Sequence, residues 1–384
     1  MVPVLAALHA ASRLLSVRAM WTAQEIAQQP AAWRELAGSL TTRQPEIDAF
    51  LTPLLARTDL RIVLTGAGTS AFAGQIVAPE LARTLRRRVD AIATTDLVSN
   101  PREAFAEDVP TLLVSFARSG DSPESVAAVQ LADTLLSECW HLVVTCNPDG
   151  KLHRIFGTEE TGGRSLALLM PAGTNDRGFA MTSSVTSMMV AVLAVLGGLD
   201  DIGRLADAAE AAEPGLEKRA TELVAQHADR LVYLGSGALT GLARESALKV
   251  VELTAGRVAS WAESSLGFRH GPKSVLTDST LVVVYLSNDP YTRRYDLDIV
   301  AELRRTLPVE RVLAVGCLDV EEENWSFPTL GRLPDSTVAP VLLLLAQHLA
   351  LAHSLALGID PDNPFPANEV NRVVQGVRIH ELDR

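Results

Sequence analysis

Cysteine, aromatic side chains and positive charge are scarce in this 384-residue chain, and each shortage argues against a class of function. The three cysteines, Cys139, Cys146 and Cys317, are odd in number and form no CxxC pair. That argues against a disulfide framework or a structural zinc site and makes a reducing cytoplasm the expected home. Aromatics make up 5% of the residues, so stacking platforms for bases are few. Lys and Arg number 34 against 46 Asp and Glu, a net charge of −12. This is the wrong sign for neutralising phosphates along a nucleic acid or an anionic membrane, and neither is an expected partner.

A secretion signal and a membrane span are also missing from the reading. Met1 to Leu8 is apolar but has no basic region before it, and His9, Arg13 and Arg18 follow early, so no signal peptide is expected. The long uncharged run from Ser336 to Ile359 is interrupted by Gln347, His348, His353 and Ser354, which predicts a buried core helix rather than a span. What remains is an ordinary globular composition, 47% apolar and 21% charged, on a chain long enough for two domains.

The pattern along the chain is strand, glycine turn, helix, repeated. Trp21 to Leu55 reads as a helical lead-in, with Pro30 and Pro45 marking breaks. The β-branched run Arg61–Thr65 then ends in Gly66-Ala-Gly-Thr-Ser70 and a periodic helix to about Leu85. Pro110–Ser115 runs into Ala117-Arg-Ser-Gly-Asp-Ser122 and a helix from Pro123 to about Leu136. Trp140–Thr145 is a third strand before the turn Asn147-Pro-Asp-Gly150. A buried helix over Ser184–Leu196 and an acidic linking helix near Leu199–Ala225 follow. Asp229–Leu234, Gly235-Ser-Gly237 and a helix over Ala238–Leu253 then repeat the opening order, with further strands at Leu281–Leu286 and Val309–Val315. The sequence therefore predicts an internally duplicated α/β protein, each half a mostly parallel sheet with helices on both faces. The divisions are a lead-in over 1–45, a first domain over 46–198, a linking helix over 199–225 and a second domain with a C-terminal tail over 226–384.

Three glycine turns offer backbone N–H groups to an anion, but none is a dinucleotide or P-loop motif, since the third glycine and the lysine are absent. Each is open to a plainer reading as a tight strand-to-helix turn. The second is the most telling, because Ser119 and Ser122 set two hydroxyls beside a helix N-terminus with Arg118 adding charge; Ser122 before Pro123 also fits an N-cap. In the second half Glu245, Lys249 and Glu252 fall at i, i+4 and i+7 on one helical face. Spacing alone leaves a surface salt-bridge stripe or a desolvated general base with a lysine partner. His270 sits in the glycine-flanked loop Gly267-Phe-Arg-His-Gly-Pro272, as a structural or a reactive imidazole, while His348 and His353 read as core or partner-facing.

In that order, Gly66-Ala-Gly-Thr-Ser70, Ala117-Arg-Ser-Gly-Asp-Ser122, Glu245-Ser-Ala-Leu-Lys-Val-Val-Glu252 and His270-Gly-Pro-Lys273 resemble the sugar isomerase (SIS) family in its tandem-domain form. The chain is similar to the isomerase half of glucosamine-6-phosphate synthase and most similar to the tagatose-6-phosphate ketose/aldose isomerase or galactosamine-6-phosphate deaminase branch. The resemblance implies two flavodoxin-like SIS domains, a homodimer, a phosphorylated sugar as substrate, and no metal or organic cofactor. It implies that Ser119 and Ser122 hold the phosphate, with Arg118 beside them, and that Gly68, Thr69 and Ser70 line the same site. Glu252 matches the glutamate that moves a proton between C1 and C2. Glu245 and Lys249 match its helix partners, and His270 matches the histidine that a neighbouring subunit donates for ring opening.

The departures from that pattern carry expectations too. Ala117 and Arg118 stand where synthase relatives carry serine and glutamine, so a guanidinium replaces one hydroxyl contact. Ser287-Asn-Asp-Pro290 replaces a second phosphate loop, which leaves one phosphate site per chain. The tail Asn371-Arg-Val-Val-Gln-Gly376 lacks the synthase lysine, and no glutamine-hydrolysing domain precedes the sheet, so the deaminating or purely isomerising direction is expected. The leading expectation is conversion of galactosamine 6-phosphate to tagatose 6-phosphate and ammonia. The alternatives are an isomerase or deglycase acting on another C2 substituent, and a non-catalytic sugar-phosphate sensor.

Overall fold

A computed structural model describes residues 20–157, 162–321 and 324–383. The apolar opening at Met1–Leu8 lies outside them. The chain begins with α1 (Trp21–Ala27) and α2 (Gln29–Leu55). The first half then runs β1 (Arg61–Gly66), α3 (Thr69–Leu85), β2 (Val89–Ala93), α4 (Thr94–Ser99), α5 (Pro101–Ala104), β3 (Thr111–Ala117), α6 (Pro123–Leu135), β4 (Cys139–Thr145), α7 (Lys151–Phe156), β5 (Ser165–Leu169) and α8 (Ser183–Gly197). After α9 (Ile202–Val224) the second half runs β6 (Arg230–Gly235), α10 (Ala238–Leu253), β7 (Ala259–Ser264), β8 (Leu281–Tyr285), α11 (Thr292–Leu303), β9 (Val312–Gly316), β10 (Trp325–Ser326) and α12 (Asp335–Ala356).

Both sheets are parallel and have the same winding, β2-β1-β3-β4-β5 and β7-β6-β8-β9-β10. Matching register fixes the duplication: Thr65 pairs with Ser115 as Leu234 pairs with Val284. In each sheet the chain reverses its winding direction between the first and third strands, where connections leave to opposite faces and open a crevice.

Alternation along the strands sorts side chains into three cores. Ile62 and Leu64 of β1, with Leu231 and Tyr233 of β6, face one continuous core packed by α2, α3, α8, α9, α10 and α12. Val63 and Leu113 face a second core under α4 and α6, and Val232 and Val282 a third under α11. The halves thus share a central helical layer. Within it α10 crosses α3 closely, since a Cβ on Gly241 would sit 3.0 Å from Ile76 Cγ1 and 3.1 Å from Ile76 N. Helix α12 is the helix among the described residues that is long and apolar enough to cross a bilayer, and 89% of its apolar window is buried inside the fold. That is the core helix predicted over Ser336–Ile359.

Two local expectations are corrected. Pro45 does not break the lead-in: α2 runs through it and through Pro53, because Leu40, Ile47, Leu51 and Leu54 are buried on both sides of the lost hydrogen bond. The break falls instead at Gln28, beside Pro30. Val309–Arg311 forms a 3₁₀ turn, so the strand expected from Val309 starts at Val312.

Candidate active site

The first strand of each half ends in a turn of the same backbone shape, with Gly68 at φ 55°, ψ −124° and Gly237 at φ 56°, ψ −123°. Side chains with a Cβ are excluded from that region, so the turn needs glycine there. Gly68 delivers Thr69 and Ser70 to the first turn of α3, both buried. Ser70 Oγ lies 3.9 Å from Met181 Sδ.

Beyond β3, the loop from Arg118 to Ser122 is braced from behind. Asn147 Nδ2 donates to Ser119 O at 2.9 Å, Leu152 N to Gly120 O at 3.1 Å and Lys151 N to Asp121 Oδ1 at 3.0 Å. Gly150 makes the brace fit, since a Cβ there would lie 2.3 Å from Ser119 O. Pro123 opens α6 as read from the sequence, yet Ser122 does not cap it: its hydroxyl donates to Ser125 Oγ at 2.6 Å. The first N–H groups of α6 therefore have no side-chain cap, and with the Ser119 and Ser122 hydroxyls nearby they offer donors of the kind that hold an anion, a cradle in form.

Arg118 takes a different course from the one expected beside a phosphate. It is buried, and its guanidinium donates to Phe179 O at 3.5 Å and to Arg372 O at 2.9 Å. Burial, with Arg372 close by, holds it below its ordinary pKa, while Asp176 and Glu252 are among the carboxylates that favour its charge. It ties the loop after β5 and the C-terminal tail to the floor of the cradle.

Glu245, Lys249 and Glu252 do share one face of α10, but that face is turned inward against α3. Lys249 and Glu245 are fully buried, which rules out a surface stripe. Lys249 Nζ donates to Glu252 Oε2 at 2.5 Å and to Thr69 Oγ1 at 2.9 Å, with Glu245 Oε1 at 3.3 Å. Thr69 Oγ1 donates to Glu245 Oε1 at 3.3 Å. Burial alone would depress Lys249, but Glu245 and Glu252 outweigh it and keep the ammonium charged above its ordinary value. Burial pushes Glu245 up to about 7, against the pull of Lys249. Glu252 is the member that reaches the surface, its side chain 23% exposed. A carboxylate fixed at one oxygen by a buried cation and open at its edge has the form of a general base.

His270 is not part of this cluster in one chain. It ends a 3₁₀ turn over Gly267–Arg269, is exposed, and its imidazole makes no hydrogen bond among the described residues. Its neighbours are pinned: Arg269 Nε meets Glu302 Oε2 at 2.7 Å, and Lys273 Nζ pairs with Glu302 Oε1. His348 pairs with Glu213 at 3.0 Å, and burial alone pushes His353 down to about 4, so both belong to the core.

Sequence reasoning passed over the loop between β5 and α8. Asp176, fully buried, accepts from Thr182 N at 2.7 Å and from Ser184 N at 3.0 Å, capping α8. Glu25 of α1 accepts from Gly178 N at 3.2 Å and also from Arg177 N, and burial followed by the Asp176 charge pushes it up to about 7. The loop presents Phe179 O to Arg118. A lone Asp and a lone Glu, 151 positions apart in sequence terms of no fixed spacing, carry no signal.

One possible metal-binding group, Asp133, Cys139 and His141, lies at the start of β4, the opposite end of the sheet from the cradle; there His141 Nε2 is already 2.8 Å from Asp133 Oδ1. A cavity of about 710 Å³ between α2 and β5, lined by Glu35, Arg43, His153 and Met170, contains none of the residues expected to act on substrate.

Comparison with known proteins finds relatives over nearly the whole chain. The SIS domain family matches residues 54–196. The AgaS protein of Streptomyces coelicolor is 58% identical over 374 residues, 95% of this chain and 96% of that one. The D-galactosamine-6-phosphate deaminase AgaS of Escherichia coli is 47% identical over 370 residues, covering 94% and 95%. Among solved structures, tagatose-6-phosphate ketose/aldose isomerase from Escherichia coli superposes with a TM-score of 0.86 at 44% identity, covering 95% of this chain and 98% of that one.

Proposed function

The chain belongs to the SIS-domain family, and from that membership we propose that it converts D-galactosamine 6-phosphate and water to tagatose 6-phosphate and ammonia. The observation that carries the reading is the Lys249–Glu252 contact of 2.5 Å, a solvent-edged carboxylate on a buried ammonium beside the Thr69 turn.

The phosphate rests in the Ser119–Ser122 cradle on the α6 N-terminus, and that remote grip orients C1 and C2. In the open-chain aldehyde, Glu252 removes the proton from C2. The electron pair forms a C1–C2 double bond while the C1–O π pair moves to O1, which takes a proton from solvent, giving an enolamine. Glu252 returns the proton to C1 and the nitrogen gives up an N–H proton to solvent, leaving a C2 imine; water adds to C2, its proton passes to the nitrogen, and the C2–N bond breaks to release ammonia and give the ketose. Lys249 holds the Glu252 carboxylate at one oxygen, and Glu245 and Thr69 hold Lys249 in place. Ring opening falls to His270 supplied by a second copy of the chain. Its exposed position supports this, as do the exposed Trp261 (51%) and Leu266 (48%) on the neighbouring edge strand and loop. The enzyme so assembled is a cytoplasmic homodimer that uses no cofactor.

A hydroxyl in place of the C2 amine would give a ketose by the same proton transfer without ammonia. The name of the solved neighbour favours that as the second reading. Ammonia and ketose 6-phosphate measured from galactosamine 6-phosphate, beside glucosamine 6-phosphate and the Glu252→Gln protein, separate the two. Ammonia from the galacto sugar, lost in the variant, is the expected result. Phosphate-sensitive binding without ammonia from either amino sugar would overturn the deaminating reading.

A further inference from the structure

Asp296 is fully buried in α11 and gathers three connections of the second half onto one carboxylate. Ser236 Oγ, in the turn that opens α10, donates to Asp296 Oδ1 at 2.5 Å. Ser265 Oγ, the first residue after β7, donates to the same oxygen at 2.6 Å. Ser287 N, just after β8, donates to Oδ2 at 3.0 Å. The first of these connections leads into the helix of Glu245, Lys249 and Glu252, and the second into the loop of His270.

Among the described residues, the first half has no such hub at the matching place; its buried Asp176 binds only the nearby residues 182–184. The spacing that relates Gly68 to Gly237, and Ser115 to Val284 through matching strand register, places Ala127 opposite Asp296 and Ala67 opposite Ser236. Thr94, which follows β2 as Ser265 follows β7, has a buried hydroxyl without a partner. The carboxylate hub is therefore not a feature that the fold requires of each repeat. It occurs in the repeat that carries the proton-transfer groups, and α11 grips the His270 loop a second time through Glu302.

We propose that Asp296 is a positioning residue for the reaction, setting with one carboxylate both the helix that carries Glu252 and the loop that carries His270. It touches no substrate. Removing the carboxylate leaves three donors unmatched, those of Ser265 and Ser287 fully buried, and lets both connections relax, and proton transfer loses rate steeply with misplacement of about an ångström. Because the phosphate cradle lies in the other half, binding of the sugar phosphate is untouched. Asparagine offers a matched replacement, its oxygen accepting from Ser287 N and its amide donating to the two serine oxygens.

The proposal rests on the deaminating reading for its kinetic arm only. In Asp296→Ala, kcat for galactosamine 6-phosphate falls on the order of 10²-fold with KM within about 2-fold, while Asp296→Asn stays near the parent. An unchanged kcat in the alanine variant, a KM that rises in step with the loss of kcat, or an equal loss in both variants would overturn it. Backbone hydrogen exchange on the same proteins needs no substrate. The alanine variant loses protection together at Leu239 and Thr240, which begin α10, and at Arg269 and His270, whose amides bond to Leu266 O and Gly267 O. Loss at one segment alone, or at neither, also overturns the proposal. If the parent releases ammonia from neither amino sugar, the proposed function fails and the exchange pattern still decides the role of Asp296.

Discussion

Lys249 Nζ of the second half lies 2.9 Å from Thr69 Oγ1 of the first, so the helix that carries Glu252 is fastened to the glycine turn at the end of β1. The bond joins residues 180 positions apart. In the proposed function the site is then a product of both repeats, one supplying the phosphate cradle and the other the proton-transfer carboxylate.

Replacing Glu252 with Gln keeps the shape and the lysine contact but removes the base. Turnover is expected to fall by about 10²–10⁴-fold, with binding of the sugar phosphate retained. Steady-state rates with a competition assay against inorganic phosphate check both halves of this; undiminished turnover would remove Glu252 from the mechanism.

Ser119→Ala takes a hydroxyl from the cradle without disturbing the Asn147 bond to its carbonyl. The expected result is a raised KM and weaker inhibition by phosphate, with kcat less affected. If neither KM nor phosphate inhibition moves, the loop is not where the phosphate rests.

Gly150→Ala attacks the same loop from behind. The added Cβ would meet Ser119 O at 2.3 Å, and the displacement costs about 1–3 kcal/mol, in line with other over-packed sites. A lower melting temperature together with weaker phosphate inhibition is expected; a fall in melting temperature with unchanged phosphate inhibition would show that the brace does not shape the cradle.

Glu25 is held at about 7 when folded against an ordinary 4.5. A folded pKa above the unfolded one means the native state binds more protons between those values, so this group's contribution falls as pH rises from 4.5 to 7 and is least favourable above 7. Glu25→Gln, which keeps an acceptor for Gly178 N, is therefore expected to gain melting temperature over the parent across that window and to hold the gain above it. Thermal melts of both proteins from pH 4.5 to 8 check the sign; a difference that does not vary with pH would mean the charge is not the cause.

How far the sequence led is clear from particular strands. Arg61–Thr65, Pro110–Ser115, Trp140–Thr145 and their second-half counterparts were legible because inner strands are buried on both faces and read as unbroken apolar runs. The strands that escaped, β2, β5, β7 and β10, are the edge strands of the two sheets. Residues along β2 and β7 are mostly half-buried, which leaves little hydrophobic pattern to read. In the site, the shared face of Glu245, Lys249 and Glu252 followed from helical spacing, but that it points inward depends on α3 and α12 packing around α10. Arg118 shows the limit from the other side: its place in the chain sets it at the cradle, while Phe179 and Arg372, far away in sequence, decide where its guanidinium goes. Asp296 had no motif at all, because its partners arrive from three separate loops.

The helical layer between the sheets has a consequence for how this protein can change. The two repeats bury Leu64 and Tyr233 in a common interior, so neither encloses that core alone. Deleting either would strip the survivor of half its walls, and swapping one for a relative's copy would have to match the partner's side chains across the seam. A substitution at the seam in one repeat is therefore felt by the core of the other.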